Sequence, residues 1–279
     1  MIPADQLRQT DPQELLGLLR DLKQYEHSVL YYGPMSQKEL ADAVAKNHPT
    51  PSSFLPPLDA HPYVMQTTPQ NEILIAPYDA KNIYMRMVHN EERAWNPDEA
   101  AVKALFNEYY GGVMNTIVFQ EMREARGLAY NAYAAYMEPQ YEGEPEYFFT
   151  HIITQNDKMM DCVRQFNLIL DTIPESEAAF NIAKEALTKR LQSQRQTKFA
   201  LINAWLTARQ KGIDYDLNER IYQALPDIPL ADIVSFEQQQ IAGKPYRYII
   251  LGDEKELDMK SLQQIGPMRR LSTEEIFGY

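Results

Sequence analysis

Apolar positions along the chain keep helical or strand periods that change character near residue 70. In the first stretch, Asp11-Pro12-Gln13-Glu14 offers a cap, a first-turn proline and a glutamate one turn in, and Leu15, Leu18, Leu19 and Leu22 then form one apolar stripe. Ser28-Val29-Leu30-Tyr31-Tyr32 predicts a strand that stops at Gly33-Pro34, and Ser36 with Glu39 predicts a capping box for a helix running to about Lys46. Residues 48–70, which include Pro49, Pro51, Pro56, Pro57, Pro62 and Pro69, are too rich in proline for a helix or central strand and read as a linker. Beyond it, residues 72–76 and 82–88 read as strands, the second alternating by face. Asn96-Pro97-Asp98-Glu99 caps a helix in which Val102, Leu105, Phe106 and Tyr109 keep helical spacing as far as Gly111-Gly112. A second helix, residues 115–126, is expected to close on Gly127 in the left-handed conformation. Strands at 129–137 and 147–154 follow, then a helical region over about 157–240 with a long polar-faced helix from near Glu175, a strand at 246–251, and short helical turns up to Tyr279. Strands and helix runs that do not alternate predict an α+β fold, an antiparallel sheet packed against a helical layer.

One internal similarity bears on domain organisation. Tyr25-Glu26-His27-Ser28-Val29-Leu30-Tyr31-Tyr32-Gly33 resembles Tyr246-Arg247-Tyr248-Ile249-Ile250-Leu251-Gly252-Asp253, each preceded by a helix and followed by a polar helix start. If Gly33 and Gly252 are equivalent, they lie 219 residues apart, the length of a whole domain. Residues 1–47 then form the helix-strand-helix tail of a preceding homologous domain, 48–70 the linker and 71–279 a second domain. The alternative is that helix, strand, glycine, helix recurs by chance.

Composition narrows the function classes. With 39 acidic against 27 basic residues the net charge is −12, and no run of five basic residues occurs, which argues against unassisted binding to nucleic acid or anionic membranes. No apolar run approaches the ~20 residues of a membrane span. Met1-Ile2-Pro3-Ala4-Asp5 lacks the basic start and apolar core of a signal peptide, so none is expected, although the start of an excised piece says nothing about export; cytoplasm and periplasm both stay open. The one cysteine, Cys162, has no internal disulfide partner and is expected as a small buried apolar residue on the helix over 159–170.

Together, Asn107-Glu108-Tyr109-Tyr110-Gly111-Gly112, Phe119-Gln120-Glu121-Met122-Arg123-Glu124-Ala125-Arg126-Gly127-Leu128-Ala129-Tyr130 and the terminal Ile249-Ile250-Leu251-Gly252-Asp253 carry a resemblance. Over about three quarters of the chain, residues 71–279 resemble one half of the pitrilysin, insulysin and mitochondrial-processing-peptidase family of zinc metallopeptidases. The resemblance implies two similar halves closed around a peptide. One half binds zinc through an inverted His-x-x-Glu-His helix and a distant glutamate; the other contributes an arginine and a tyrosine seven residues apart, which here fall on Arg123 and Tyr130. The helix where the inverted motif belongs reads Ala101-Val102-Lys103-Ala104-Leu105-Phe106, without a ligand, so the chain resembles the non-catalytic half. No catalytic or metal-ligating residue is expected in it; zinc is expected in a catalytic homologous domain or subunit.

The individual residues agree with that expectation. A zinc hydrolase needs two imidazoles one helical turn apart, a third ligand and a carboxylate to activate water. The five histidines are His27, His48, His61, His89 and His151; the nearest imitation, His89-Asn90-Glu91-Glu92-Arg93, has arginine where the second ligand belongs and reads as a solvated strand end. His151 reads as a core-facing or edge residue with one hydrogen bond, and His27, His48 and His61 as surface residues. The Arg123 guanidinium suits a substrate carbonyl or carboxylate and the Tyr130 phenol a developing oxyanion, while without the resemblance they read as a helix-end cation and a sheet-packing tyrosine. Gly111-Gly112 lacks phosphate-loop spacing and reads as a turn allowing close backbone approach. Tyr130, Tyr133, Tyr136, Tyr141, Tyr147, Phe148 and Phe149 read mostly as sheet core, some lining a cleft where an exposed strand edge accepts an extended peptide. The expected function is thus a substrate-binding, chamber-closing domain of a zinc metalloendopeptidase; alternatives are a structural subunit like the respiratory-complex core proteins of this family, or a peptide-binding module without an enzymatic partner.

Overall fold

A computed structural model of the chain describes residues 2–56, 64–111 and 114–278. It divides into two compact units, Met1–Val64 with Gln196–Ala204 and Glu274–Tyr279, and Met65–Arg195 with Trp205–Thr273. Helices α8 (Lys198–Gln210) and α12 (Thr273–Phe277) are divided between them.

The first unit contains α1 (Ala4–Gln9), α2 (Pro12–Asp21) and α3 (Gln37–Asn47). Asp11 caps α2 by accepting from Gln13 N at 2.9 Å, with Pro12 in the first turn. Both bonds of the Ser36–Glu39 capping box open α3. The α2 leucines Leu15, Leu18 and Leu19 stay exposed, as does Leu22 just past its end. The expected strand over 28–32 does not form: a strand exists only through a neighbour's backbone, and among the described residues the segment pairs with none, the bridge nearby joining Tyr25 to Leu55. Gly33 accordingly follows no strand, whereas Gly252 ends one. Around the prolines, residues 48–56 and 64–71 carry no helix or strand beyond the Leu55 bridge; Pro57, His61 and Pro62 lie outside the described residues.

The second unit is built on a six-stranded sheet of β1 (Glu72–Pro77), β2 (Asn82–His89), β3 (Asn131–Met137), β4 (Tyr147–Gln155), β5 (Arg247–Gly252) and β6 (Met268–Arg270), in the order β3-β4-β2-β5-β1-β6. Strands β3, β4, β2 and β5 pair antiparallel; β1 runs parallel to β5 and β6, so the sheet is mixed rather than antiparallel throughout. Alternation drives the layering: Ile83, Met85 and Met87 of β2 are buried together with Phe148 and Ile152 of β4, while Tyr84, Arg86 and His151 occupy the opposite face. Helices α4 (Ala100–Phe106), α6 (Met159–Asp171), α7 (Glu177–Ser193), α9 (Leu217–Ala224) and α10 (Leu230–Gln240) contribute to the same core, as does α11 (Met259–Ile265) through Leu262. Phe106 anchors that layer, stacked on Tyr110 at 5.0 Å and meeting Phe236 at 5.3 Å. Cys162 of α6 is fully buried, as expected, and donates to the Leu128 carbonyl.

Two π-turns interrupt the regular helices that the spacing up to Gly111 and over 115–126 predicts. One continues α4 over Asn107–Gly111; the other, Gln120–Glu124, follows the single α-turn α5 (Ile117–Phe119) capped by Thr116. Gly111 is required by close approach, since a Cβ there would lie 2.0 Å from the Ala134 carbonyl oxygen of β3. Gly112 lies outside the described residues.

Candidate functional site

Arg123 sits in the second π-turn and Tyr130 just before β3, and the chain between them is held tightly. Met122 is buried in the core and accepts from the amides of Leu128 and Ala129 at 2.9 and 3.2 Å. Gly127 adopts the left-handed conformation (φ 58°) and its amide closes on the Arg123 carbonyl at 2.9 Å. Thr154 of β4 donates to the Leu128 carbonyl at 2.6 Å, and the Tyr130 amide donates to Ile153 at 2.8 Å. This scaffold brings the two side chains together: the Arg123 guanidinium carbon lies 5.8 Å from the Tyr130 ring centre and 5.0 Å from that of Phe119. Among the described residues its charged neighbour is Glu124, at 3.7 Å. Tyr130 is 77 % exposed and the Arg123 side chain 45 %, so a rigid turn presents a forked cation and a phenol outward.

The remaining aromatics divide by face. Tyr136 and Phe148 are core; Tyr133, Tyr147 and Phe149 are half-buried on the opposite face, and Tyr141 is exposed, so most of the group is not core.

Among the described residues no group of three or more His, Cys, Asp or Glu gathers that could hold a metal ion. His89 is not the solvated strand end expected: it is buried at the end of β2, with Nδ1 donating to the Pro245 carbonyl at 2.8 Å and Nε2 3.6 Å from Glu91. Burial holds its imidazole below the usual range. His151 is neither edge nor core-facing. It lies on the opposite face of the sheet, on a strand flanked by β2 and β3; its Nδ1 lacks a hydrogen bond and its ring lies 5.0 Å from Tyr133. His27 is exposed as expected, but His48 is half-buried and meets it, the two Nε2 atoms 2.9 Å apart.

Where the inverted motif belongs, α4 offers a cation instead of ligands. Lys103 is 1 % exposed, and its ammonium contacts Glu146 and lies 3.2 Å from Glu99 and from the Asn96 carbonyl. Arg93 completes the cluster, hydrogen-bonded to both oxygens of Glu99 and to Glu146. Burial pushes the Glu99 carboxyl up, but its bonds to Arg93 and Lys103 prevail and hold it below the ordinary range. An ammonium satisfied by two carboxylates cannot share its place with a divalent cation, so these residues do not fit a zinc site. A second buried carboxyl, Glu237 of α10, has no hydrogen-bond partner for either oxygen among the described residues; burial, then nearby Asp171, push it up to about 7. Neither Lys103 nor Glu237 announces itself in sequence, since each is one charged residue in an apolar-periodic helix.

No protein-family model and no curated protein sequence matches the chain. Solved structures do. The peptidase M16 inactive domain from Pseudomonas fluorescens is 16 % identical with a TM-score of 0.59, over 78 % of this chain and 51 % of its own. A protease from Helicobacter pylori is 12 % identical with a TM-score of 0.61, over 78 % of this chain and 53 % of that one. The ferredoxin protease FusC, in complex with Arabidopsis ferredoxin, is 11 % identical with a TM-score of 0.68, over 91 % of this chain and 28 % of that one. The chain thus spans about half the length of the first two and about a quarter of the third. Its fold is that of one half of these peptidase chains, shared with a domain described as inactive.

Proposed function

We propose that this chain is the non-catalytic, substrate-holding half of a zinc metallopeptidase, and that a homologous domain or subunit supplies the zinc and the hydrolytic chemistry. The observation that carries the reading is the Arg123–Tyr130 pair: two exposed hydrogen-bonding side chains converged by a turn anchored on buried Met122, in a fold shared with peptidase halves. A guanidinium that is always charged and held at one place donates to a peptide carbonyl or carboxylate, and a phenol beside it donates to the oxygen on which negative charge grows when water attacks. A polypeptide partner is in keeping with the FusC structure, solved with ferredoxin. That match covers 91 % of the chain and so reaches into the first 70 residues, which supports reading residues 1–47 as the tail of a preceding homologous domain and 48–70 as a linker.

The test is peptide binding by the isolated chain, followed by fluorescence anisotropy with a labelled unstructured peptide. Arg123→Ala is expected to weaken binding about tenfold, the scale of one charge-assisted hydrogen bond, with no cleavage by wild type or variant. Binding indifferent to Arg123 would favour a scaffold role; stoichiometric zinc uptake with peptide hydrolysis by this chain alone would overturn the reading.

A further inference from the structure

We propose that Arg86 and His151, paired across β2 and β4 on the sheet face away from the core, form a subsite for the carboxylate of an acidic peptide side chain. The inference rests on reading the chain as a peptide-holding half, and adds which residue that half prefers. Alternation puts Tyr84, Arg86 and Val88 of β2 and Phe149, His151 and Ile153 of β4 on this face. The register sets Arg86 directly opposite His151, and His151 opposite Tyr133 of β3. Arg86 is exposed, and among the described residues it forms no ion pair and no hydrogen bond. His151 Nδ1 is sealed from solvent and also lacks a partner among them.

The chain has 39 acidic against 27 basic residues, yet no acid stands beside this pair. The flanking rows carry Tyr84, Ile153 and Asn131 on one side and Val88, Phe149 and Ala135 on the other. Glu72 of β1 is committed to Arg247 at 2.8 Å. Like charges directly opposite in a sheet repel, so the arrangement disfavours the charged ring. Burial, then the Arg86 charge, hold the His151 imidazole below its usual range; the titratable groups set against it are Arg86 and, diagonally, Tyr84 from β2, and Tyr133 from β3. A carboxylate seated at the pair reverses that balance, accepting from the forked guanidinium and from an imidazolium that it stabilises. Tyr133 lies 5.0 Å from the His151 ring and edge-on to Phe149 at 5.7 Å, an aromatic wall for the apolar stem of the same side chain. The pair is also within reach of a peptide held at Arg123 and Tyr130. The Ile153 carbonyl accepts from the Tyr130 amide at 2.8 Å, and His151 is two residues further along β4, about 7 Å at the rise of a strand.

The experiment is fluorescence anisotropy of the full chain with two labelled peptides, acetylated and amidated at their ends and identical except for one Glu or Gln. The expected result is binding about tenfold tighter with Glu, the scale of one charge-assisted hydrogen bond, and loss of that difference in Arg86→Gln. In the wild-type chain the His151 ring-proton resonance, assigned by its disappearance in His151→Gln, should titrate about one pH unit higher with the Glu peptide bound and stay put with the Gln peptide. Equal affinity for the two peptides, with Arg123→Ala still weakening both, would overturn the subsite and leave the peptide-holding reading intact. A Glu preference that survives Arg86→Gln, or an unmoved His151 resonance, would overturn it as well. A Glu preference lost in Arg86→Gln while binding ignores Arg123→Ala would support the subsite and count against the role given to Arg123.

Discussion

Arg123 and Lys103 are both cations close to α-helical segments, and their surroundings give them opposite consequences. Arg123 touches one exposed carboxylate and two ring faces, so Arg123→Ala should change unfolding free energy by no more than about 0.5 kcal/mol in urea titration. Lys103 is enclosed with Glu146, itself fully buried, and Lys103→Met leaves that carboxylate short of a partner; a loss of about 3–5 kcal/mol is expected in the same titration. Stability insensitive to Lys103 would show the buried cluster to be solvated. The pair was unequally legible in sequence. Arg123 lies in a string with local pattern, whereas Lys103 has one partner a helical turn away, Glu99, and its buried partner Glu146 is 43 residues away, where no spacing rule reaches.

At the scale of elements, the turn that carries the candidate site makes two glycines behave differently. Gly127 has a left-handed backbone but open space where a Cβ would go, so Gly127→Ala costs only backbone strain, about 1 kcal/mol. Gly111 has the reverse problem, a β3 carbonyl at 2.0 Å, so Gly111→Ala must push the π-turn away from the sheet and should cost at least about 2–3 kcal/mol. Thermal unfolding of the two variants side by side checks the order; equal losses would contradict the packing of the π-turn on β3. Elements whose signal is local were readable: both capped helices of the first unit, the alternation of β2, and Gly127 as a helix stop. Elements defined by a partner were not. Residues 28–32 have strand composition but pair with no neighbour among the described residues, and β6 is too short to alternate, existing only because β1 runs beside it. The π-turns escaped because one residue inserted into a helix leaves its apolar spacing nearly unchanged.

For the molecule as a whole, the partnerless carboxyl of Glu237 links folding to pH. Its pKa, about 7 when folded, exceeds the 4.5 of a free glutamate, so the folded state retains a proton that the unfolded chain releases in between. Stability therefore falls as pH rises from about 4.5 to 7, by at most about 1.4 kcal/mol per pH unit from this group, and its share is constant outside that window. Denaturant titrations of wild type and Glu237→Gln at pH 5, 6 and 7 should diverge steadily as the wild type weakens; parallel curves would mean that water reaches the carboxyl. Peptide cleavage by this chain joined to a zinc-bearing homologous half, comparing wild type with Arg123→Ala, tests the proposed substrate-holding role. The expected result is a kcat/KM lower by about 10²-fold, the scale of one lost oxyanion donor, with folding and zinc content unchanged; cleavage at the wild-type rate would contradict a substrate-holding role for this half.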